Sequence, residues 1–111
     1  MDFEQVTMQL ILHGGNARGL AYEALDKAEE HDFEEADRLL REAHEEFLKG
    51  HQYQTQLIQN QDGTPNFITI HAQDHVMTAQ AELQLVKRMI AHLKKQAELE
   101  EKIKKLESRF L

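Results

Sequence analysis

The sequence predicts an all-α protein in which three helices form an antiparallel, up-down-up bundle. Apolar residues recur every three or four positions through most of the 111 residues, which is the spacing of amphipathic helices. Helix-breaking residues are scarce, because the chain has one proline and five glycines. Capping residues stand before the expected helices, and the connections between them are short, so consecutive helices should run in opposite directions.

The first helix is expected from about residue 3 to residue 30. Asp2 is the type of residue that caps a helix N-terminus, and Gln5 stands at the capping-box position. The apolar face is made of unusually small side chains, which allow another helix to approach closely: Leu10, Ala17, Ala21, Ala24 and Ala28. The pair Gly14-Gly15 should cost about 1 kcal/mol per glycine relative to alanine. It indicates a bend, tight packing, or backbone held close to a neighbouring site.

The second helix is expected over residues 33–60. Asp32 and Glu35 form a capping signal at its start. Its face keeps a spacing of three or four residues through Ala36, Leu40, Ala43, Phe47, Gln54, and Leu57 or Ile58. Gln54 is therefore a polar residue on an otherwise apolar face. The residues that follow, from Asn60 to Pro65, are typical of a turn.

The third helix is expected over residues 66–109, with Thr64 as its N-cap and Pro65 in the first position. No glycine or proline follows Pro65, so the helix can continue almost to the C-terminus. Beyond Lys94 the apolar residues are spaced like a short coiled-coil seam: Leu99, Ile103, Leu106 and Phe110. Additional apolar positions indicate that this helix also faces other subunits. The three helices are expected to form a single domain, residues 1–111.

Composition and charge argue against several classes of protein. Residues 1–86 carry 5 basic and 16 acidic residues, and residues 87–111 carry 8 and 4, so the acidic bulk argues against nucleic-acid binding. The absence of cysteine excludes disulfides and thiolate zinc sites. No apolar run approaches the roughly 18 residues of a membrane span, and the N-terminus lacks the basic region of a signal peptide. We therefore expect a cytoplasmic protein that is not membrane-embedded.

The most informative segment is the cluster His71, Asp74 and His75 on the third helix. Residues at i, i+3 and i+4 lie on the same side of a helix, one turn apart. Apolar residues at helical spacing surround the aspartate on this face, namely Phe67, Ile70, Met77, Ala81 and Leu85. This pattern places Asp74 in a core stripe, where a carboxylate costs free energy unless another group pairs with it. The cluster therefore needs an explanation beyond helix formation.

Three interpretations of the cluster remain open from the residues alone. A helical zinc site would use all three side chains, but the H-E-x-x-H pattern of zinc proteases is absent. A hydrogen-bonded network without chemistry is the second possibility. The third is a histidine that accepts a phosphoryl group, because neutral imidazole is a competent nucleophile near neutral pH. Gln54, His75 or a helix-terminal amide would then donate hydrogen bonds to the phosphate oxygens.

The sequence around the cluster closely resembles a known signature. Residues 70–79, Ile-His-Ala-Gln-Asp-His-Val-Met-Thr-Ala, are similar to the H-A-Q-D-H-L-M-T-A signature of lactose/cellobiose-type enzyme IIA proteins. These proteins belong to the bacterial phosphoenolpyruvate-dependent sugar phosphotransferase system. Residues 51–55 (His-Gln-Tyr-Gln-Thr) resemble the A-H-x-x-Q-T segment of the family, and residues 14–18 (Gly-Gly-Asn-Ala-Arg) resemble its A-G-D-A-R segment. The resemblance extends over about residues 5–95.

The resemblance implies a phosphocarrier that works as a homotrimer of three-helix subunits. His71 would accept a phosphoryl group from the carrier protein HPr and pass it to a cysteine of the sugar-specific IIB component. Asp74 of each subunit would bind one shared divalent cation, most often Mg²⁺. His75 and Gln54 occupy positions that line the family's phosphate site. The resemblance does not identify the sugar, which is bound by the membrane component.

The sequence departs from the family pattern in four places. Val76 replaces leucine in the signature, Asn16 stands where the family usually has aspartate, and Gly14-Gly15 is richer in glycine than usual. The segment beyond about residue 95 is longer than the family minimum, and the resemblance assigns it no role. A second class of function remains: a trimeric helical module that binds or regulates other proteins without carrying phosphate.

Overall fold

The computed structural model describes residues 2–60 and 66–111, and within these ranges the chain forms three α-helices. They are α1 (Phe3–Glu29), α2 (Phe33–Asn60) and α3 (Phe67–Phe110), and their bounds lie within one residue of those expected from the sequence. The N-terminal half of α1 packs with the C-terminal half of α2 and the N-terminal half of α3. The all-α, up-down-up fold is therefore confirmed. None of the described helices is long and apolar enough to cross a membrane.

A tight turn reverses the chain between α1 and α2. His31 adopts a left-handed backbone conformation, with φ of 64°. The N–H of Asp32 donates to the carbonyl of Lys27 at 2.9 Å, and that of His31 donates to Ala28 at 3.0 Å, which together form a Schellman motif. The Asp32 carboxylate then accepts the N–H of Glu35 at 3.3 Å, as the capping signal predicted. Asp32 thus closes the end of α1 through its N–H and caps the start of α2 through its carboxylate. The resulting turn makes α1 and α2 antiparallel neighbours.

The start of α3 differs from the expectation. Asn66, and not Thr64, is the N-cap, because its side-chain oxygen accepts the N–H of Thr69 at 2.9 Å. Thr64 and Pro65 lie outside the described residues. Both threonine and asparagine are good caps, and their separation by only one residue left the sequence unable to distinguish them.

Helix α1 continues through its two glycines and lies close to α3 at the first of them. A Cβ atom on Gly14 would lie 2.9 Å from both the carbonyl carbon and the carbonyl oxygen of His75. A Cβ atom on Gly15 would meet nothing within 4 Å. The expectation of tight packing is thus confirmed at Gly14. Because the contacted residue, His75, belongs to the predicted site, Gly14 also holds the α1 backbone close to that site.

The core between the helices has two parts with different side-chain sizes. Toward the N-terminus of α1, larger side chains meet around Leu10 and Val76, both essentially inaccessible to solvent. Toward its C-terminus, the alanine stripe of α1 leaves room for larger residues of α3, which are Leu83, Val86 and Ile90. All five residues predicted for the apolar face of α1 are fully buried. Small residues on one helix therefore complement large residues on another.

Helix α3 has a second apolar face that points away from its own subunit. The residues around Asp74 that the sequence places in one stripe are exposed: Phe67 (93%), Ile70 (50%), Met77 (52%), Ala81 and Leu85 (62%). The subunit core instead uses Ala72, Val76, Ala79, Leu83, Val86 and Ile90. The expectation that Asp74 lies in a core stripe is therefore wrong for the single chain. Periodicity identifies an apolar face but not which molecule covers it. We call these five apolar residues the outward stripe.

The C-terminal part of α3 extends beyond the bundle. The ammonium group of Lys94 donates to both carboxylate oxygens of Asp37 at 2.8 and 2.9 Å, which ties α3 to the start of α2. Ala97 is the last half-buried residue, and residues 98–111 are all exposed. With 44 residues against 27 in α1, α3 gives the molecule its long dimension of 71 Å.

Candidate functional site

Two histidine rings of α3 contact each other at the centre of the candidate site. The Nε2 atoms of His71 and His75 lie 3.1 Å apart, and the rings meet edge to face with centroids 4.6 Å apart. A contact between two such nitrogens needs one donor and one acceptor, so only one of the two rings carries a proton there. His71 is exposed, whereas His75 is half-buried. The exposed ring is thus accessible to another protein while its neighbour supplies or accepts a proton.

The close approach of α1 determines the environment of His75. Gly14 packs against the backbone of this residue, and the Nδ1 atom of the ring is buried without a hydrogen-bond partner among the described residues. Burial lowers the pKa of His75 below that of an ordinary histidine, and His71 and Arg18 lower it further. The carboxylate of Asp74 opposes this shift. His75 therefore remains neutral near neutral pH.

An arginine of α1 holds the next turn of α3. The guanidinium of Arg18 donates a hydrogen bond through Nη2 to Thr78 Oγ1. Its Nε atom lies 2.7 Å from Glu82 Oε2, an ion pair that is not aligned as a hydrogen bond. The Thr78 hydroxyl in turn donates to the backbone carbonyl of Asp74 at 2.6 Å. Arg18 thus places a positive charge beside the histidine pair and connects α1 to α3.

Gln54 lies on the other flank of α3 from the histidines. Its side chain is buried, and its Nε2 atom donates to Gln73 Oε1 at 2.7 Å and lies 3.4 Å from Met77 Sδ. Gln73 and His71 are about 160° apart around the helix axis. Within one subunit, the structure therefore does not bring Gln54 to His71, and no hydrogen bond joins them in the described part of the chain.

Asp74 projects from the outward stripe and is exposed. The described residues contain no group of three His, Cys, Asp or Glu side chains placed to hold one metal ion. A single subunit thus contributes one carboxylate, which is too few ligands for a divalent cation such as Mg²⁺. The residues fit a metal site only if other subunits supply further ligands.

The structure brings together some predicted residues and adds others. His71 and His75 are in contact, and Asp74 lies beside them on the same helix, whereas Gln54 is apart. The sequence reasoning missed Arg18, although a charged residue one turn after Gly14 on the face of α1 that meets α3 was a usable signal. It also missed Gln73, because pairing of two glutamines across helices depends on how the helices dock.

A family model for the lactose/cellobiose-specific IIA subunit of the phosphotransferase system matches residues 5–94. The chain belongs to this family. The match includes the histidine pair, Asp74, Arg18 and Gln54, and it ends at the residue that ties α3 to α2.

Individual proteins give the same result. The chain is 45% identical over 106 residues to the lichenan-specific phosphotransferase enzyme IIA component of Bacillus subtilis, covering 92% of this chain and 90% of that protein. The crystal structure of the cellobiose-specific enzyme IIA from Bacillus anthracis superimposes with a TM-score of 0.82 at 38% identity, covering 87% of this chain and 93% of that one.

A third similar protein was solved with a partner. It is the chitobiose IIA protein in its complex with HPr, from the N,N'-diacetylchitobiose branch of the Escherichia coli phosphotransferase system. It matches with a TM-score of 0.78 at 32% identity, covering 87% of this chain and 98% of that one. The IIA family and its three-helix fold are thus established by sequence and by structure.

The lowered pKa of His75 predicts a specific titration. In an NMR titration, His75 should protonate below the usual value of about 6.5. Arg18→Gln should raise the pKa of His75, because it removes a nearby positive charge. Arg38→Gln makes the same charge change on an exposed face of α2 and should leave it unchanged. Equal titration curves for the parent and Arg18→Gln would contradict the described environment.

The same shift determines the sign of a stability effect. The folded state binds the His75 proton less readily than the unfolded chain does, because its pKa is depressed on folding. The stability contributed by this group is fully present above about pH 6.5 and is lost as the pH falls through the folded-state pKa. His75→Gln should therefore reduce the acid sensitivity of the free energy of unfolding.

Proposed function

We propose that this protein is a phosphocarrier in which His71 accepts a phosphoryl group from HPr and passes it to a cysteine of a IIB component. The sugars taken up by such a system are of the lactose, cellobiose or chitobiose type. The observation that carries the proposal is the contact between two histidines. The Nε2 atom of exposed His71 lies 3.1 Å from the Nε2 atom of half-buried His75. The family membership and the HPr complex of the similar chitobiose protein support it.

The proposed transfer needs positioning more than covalent assistance. A phosphorus–nitrogen bond to the HPr histidine breaks while one to a ring nitrogen of His71 forms, and a phosphorus–sulfur bond to the IIB cysteine later replaces it. Phosphoryl transfer passes through a transition state whose charge is spread over the phosphoryl oxygens. Neutral His75 can hold a proton on the nitrogen that faces His71 and donate it as a hydrogen bond to such an oxygen. Arg18 adds positive charge on the same side.

We also propose that three subunits assemble through the outward stripe. The four large side chains of this stripe are about half or more exposed in the single chain, which favours an interface with other subunits. Asp74 lies among them, and three copies of its carboxylate around one axis would repel one another. A Mg²⁺ ion bound by the three carboxylates would offset two of the three negative charges and relieve the repulsion.

A trimer would also give Gln54 the role expected from the family. Each α3 helix around a threefold axis presents one flank to each neighbour. Gln54 and Gln73 lie on one flank of α3, and His71 lies on the opposite flank. In this proposed arrangement, Gln54 of one subunit approaches His71 of the next and supports the phosphate there. Its position away from His71 within the subunit is consistent with this role.

Substitution of the acceptor tests the phosphocarrier function. When incubated with phosphoenolpyruvate, enzyme I and HPr, the parent should gain one acid-labile phosphate by intact mass. His71→Gln should fold and gain none. His75→Gln should be labelled about 10²-fold more slowly, as when a donor to a transition-state oxygen is removed. His92→Gln changes an exposed histidine outside the cluster and serves as the control.

Two outcomes would contradict the assignment. Labelling of His71→Gln together with loss of labelling in His75→Gln would make His75 the acceptor. A parent that takes up no phosphate would favour the trimeric interaction module instead.

Removal of the carboxylate tests the metal proposal. Asp74→Leu eliminates both the repulsion and the charge that the proposed trimer would bury, so the trimer should persist and be more stable by about 1–4 kcal/mol, as when other buried ion clusters are replaced by apolar residues. EDTA should lower the melting temperature of the parent and leave that of Asp74→Leu unchanged. Monomeric parent protein in sedimentation, or equal sensitivity of both proteins to EDTA, would refute the shared cation.

A further inference from the structure

The projecting end of α3, residues 95–111, is the largest feature without a role in the proposed chemistry. It lies beyond the residues matched by the family model, which end at 94. Its large apolar side chains are all at least half exposed, and they are Leu99, Ile103, Leu106, Phe110 and Leu111. Residues 98–111 are exposed and gain no stability from packing within their own subunit, so an apolar seam along this stretch indicates a partner helix. We call this segment the tail.

The apolar seam of the tail fixes a heptad register. Leu99 and Leu106 take the d positions, and Ile103 and Phe110 take the a positions. The seam continues the direction of the outward stripe, since Leu99 and Asp74 lie within about 20° of each other around the α3 axis. A coiled coil formed by the tail would therefore lie on the same axis as the proposed trimer interface.

The charges that flank the seam are separated by sign. In this register the g positions are all basic, and they are Lys95, Lys102 and Arg109. The e positions are both acidic, and they are Glu100 and Glu107. None of these five side chains forms an ion pair inside the described part of the subunit. Their charges are thus available to an adjacent helix.

The separation of basic g positions from acidic e positions indicates which helix the tail pairs with and whether the two run parallel or antiparallel. In a parallel coiled coil a g residue faces an e residue of the next chain, so that Lys95 meets Glu100 and Lys102 meets Glu107. In an antiparallel pair, g faces g and e faces e, which would place like charges together. We propose that the tail forms a parallel, in-register coiled coil with the tails of other copies of this chain. Its partner is this chain itself, because the two charged edges complement each other.

The inference rests on the proposed homotrimer but adds a separate element to it. The outward stripe around Asp74 forms the proposed threefold interface, and the tail extends that interface beyond the bundle with charge-paired helices. Polar residues at Arg88, His92 and Gln96 separate the two apolar segments along the same side of α3. The tail can therefore be weakened without touching the stripe or the histidine pair.

Charge reversal tests the seam with a matched control. Glu100→Lys with Glu107→Lys makes both edges basic and should weaken subunit association by about tenfold or more in sedimentation at low salt, with a smaller effect at high salt. Glu98→Lys with Glu101→Lys makes the same change in net charge at the outward c and f positions and should have little effect. Mixing the first variant with Lys95→Glu, Lys102→Glu, Arg109→Glu protein should restore association in part, because two of the three interfaces in a mixed trimer then pair opposite charges.

Cross-linking tests direction and register in the full-length chain, which contains no native cysteine. Leu106→Cys places the thiols of neighbouring chains together at a d position only if the tails are parallel and in register. Under mild oxidation it should form disulfide-linked dimers at least about tenfold faster than Ser108→Cys, whose f position points outward. Equal rates would overturn the proposal, as would equal weakening by the two charge variants.

Phosphorylation by HPr separates this proposal from the proposed function. The charge variants lie outside the histidine site, so His71 should still be labelled in each of them. A parent that is not phosphorylated refutes the phosphocarrier function but leaves the cross-linking result valid. Binding of a different protein to the tail, with the parent remaining monomeric, would overturn the coiled coil.

Discussion

The contact between Gly14 of α1 and the backbone of His75 on α3 is the constraint on which the site depends. A Cβ atom at position 14 would lie 2.9 Å from this backbone, so only glycine allows the two helices to come so close. The contact buries one edge of the His75 ring and places Arg18, one turn later, beside Thr78. His75 is thereby kept neutral while His71, one turn earlier, remains exposed. The difference in burial between His71 and His75 of α3 therefore arises from Gly14 of α1.

Helix α3 serves two surfaces at once. One side supplies the subunit core, where residues such as Val76 and Ile90 meet the alanines of α1. The opposite side carries the outward stripe and, farther along, the seam of the tail. The histidine pair lies between these two sides, beside the core and next to the surface proposed for other subunits. The proposed phosphoacceptor, His71, is thus supported by a rigid helix yet accessible to a docking protein.

Local signals in the sequence were sufficient for the fold. Asp32 and the scarcity of glycine and proline defined the helices, and the alanine stripe of α1 identified its buried face. The resemblance around His71 identified the family. Periodicity did not show that Asp74 faces outward, because two apolar faces on one helix give similar patterns. Nor did it reveal the contacts of Arg18 or Gln54, which depend on how far each helix is rotated and shifted against its neighbours.

A comparison of two adjacent glycines tests the central claim most directly. Gly15→Ala should stabilise the protein by about 1 kcal/mol, because alanine favours the helix and its Cβ would meet nothing within 4 Å. Gly14→Ala gains the same propensity but should lose about 1–3 kcal/mol to overpacking, and it should slow phosphorylation of His71 by displacing His75. The measurement is the free energy of unfolding together with the phosphorylation rate for both variants. Equal stability and equal rates in the two variants would contradict the account.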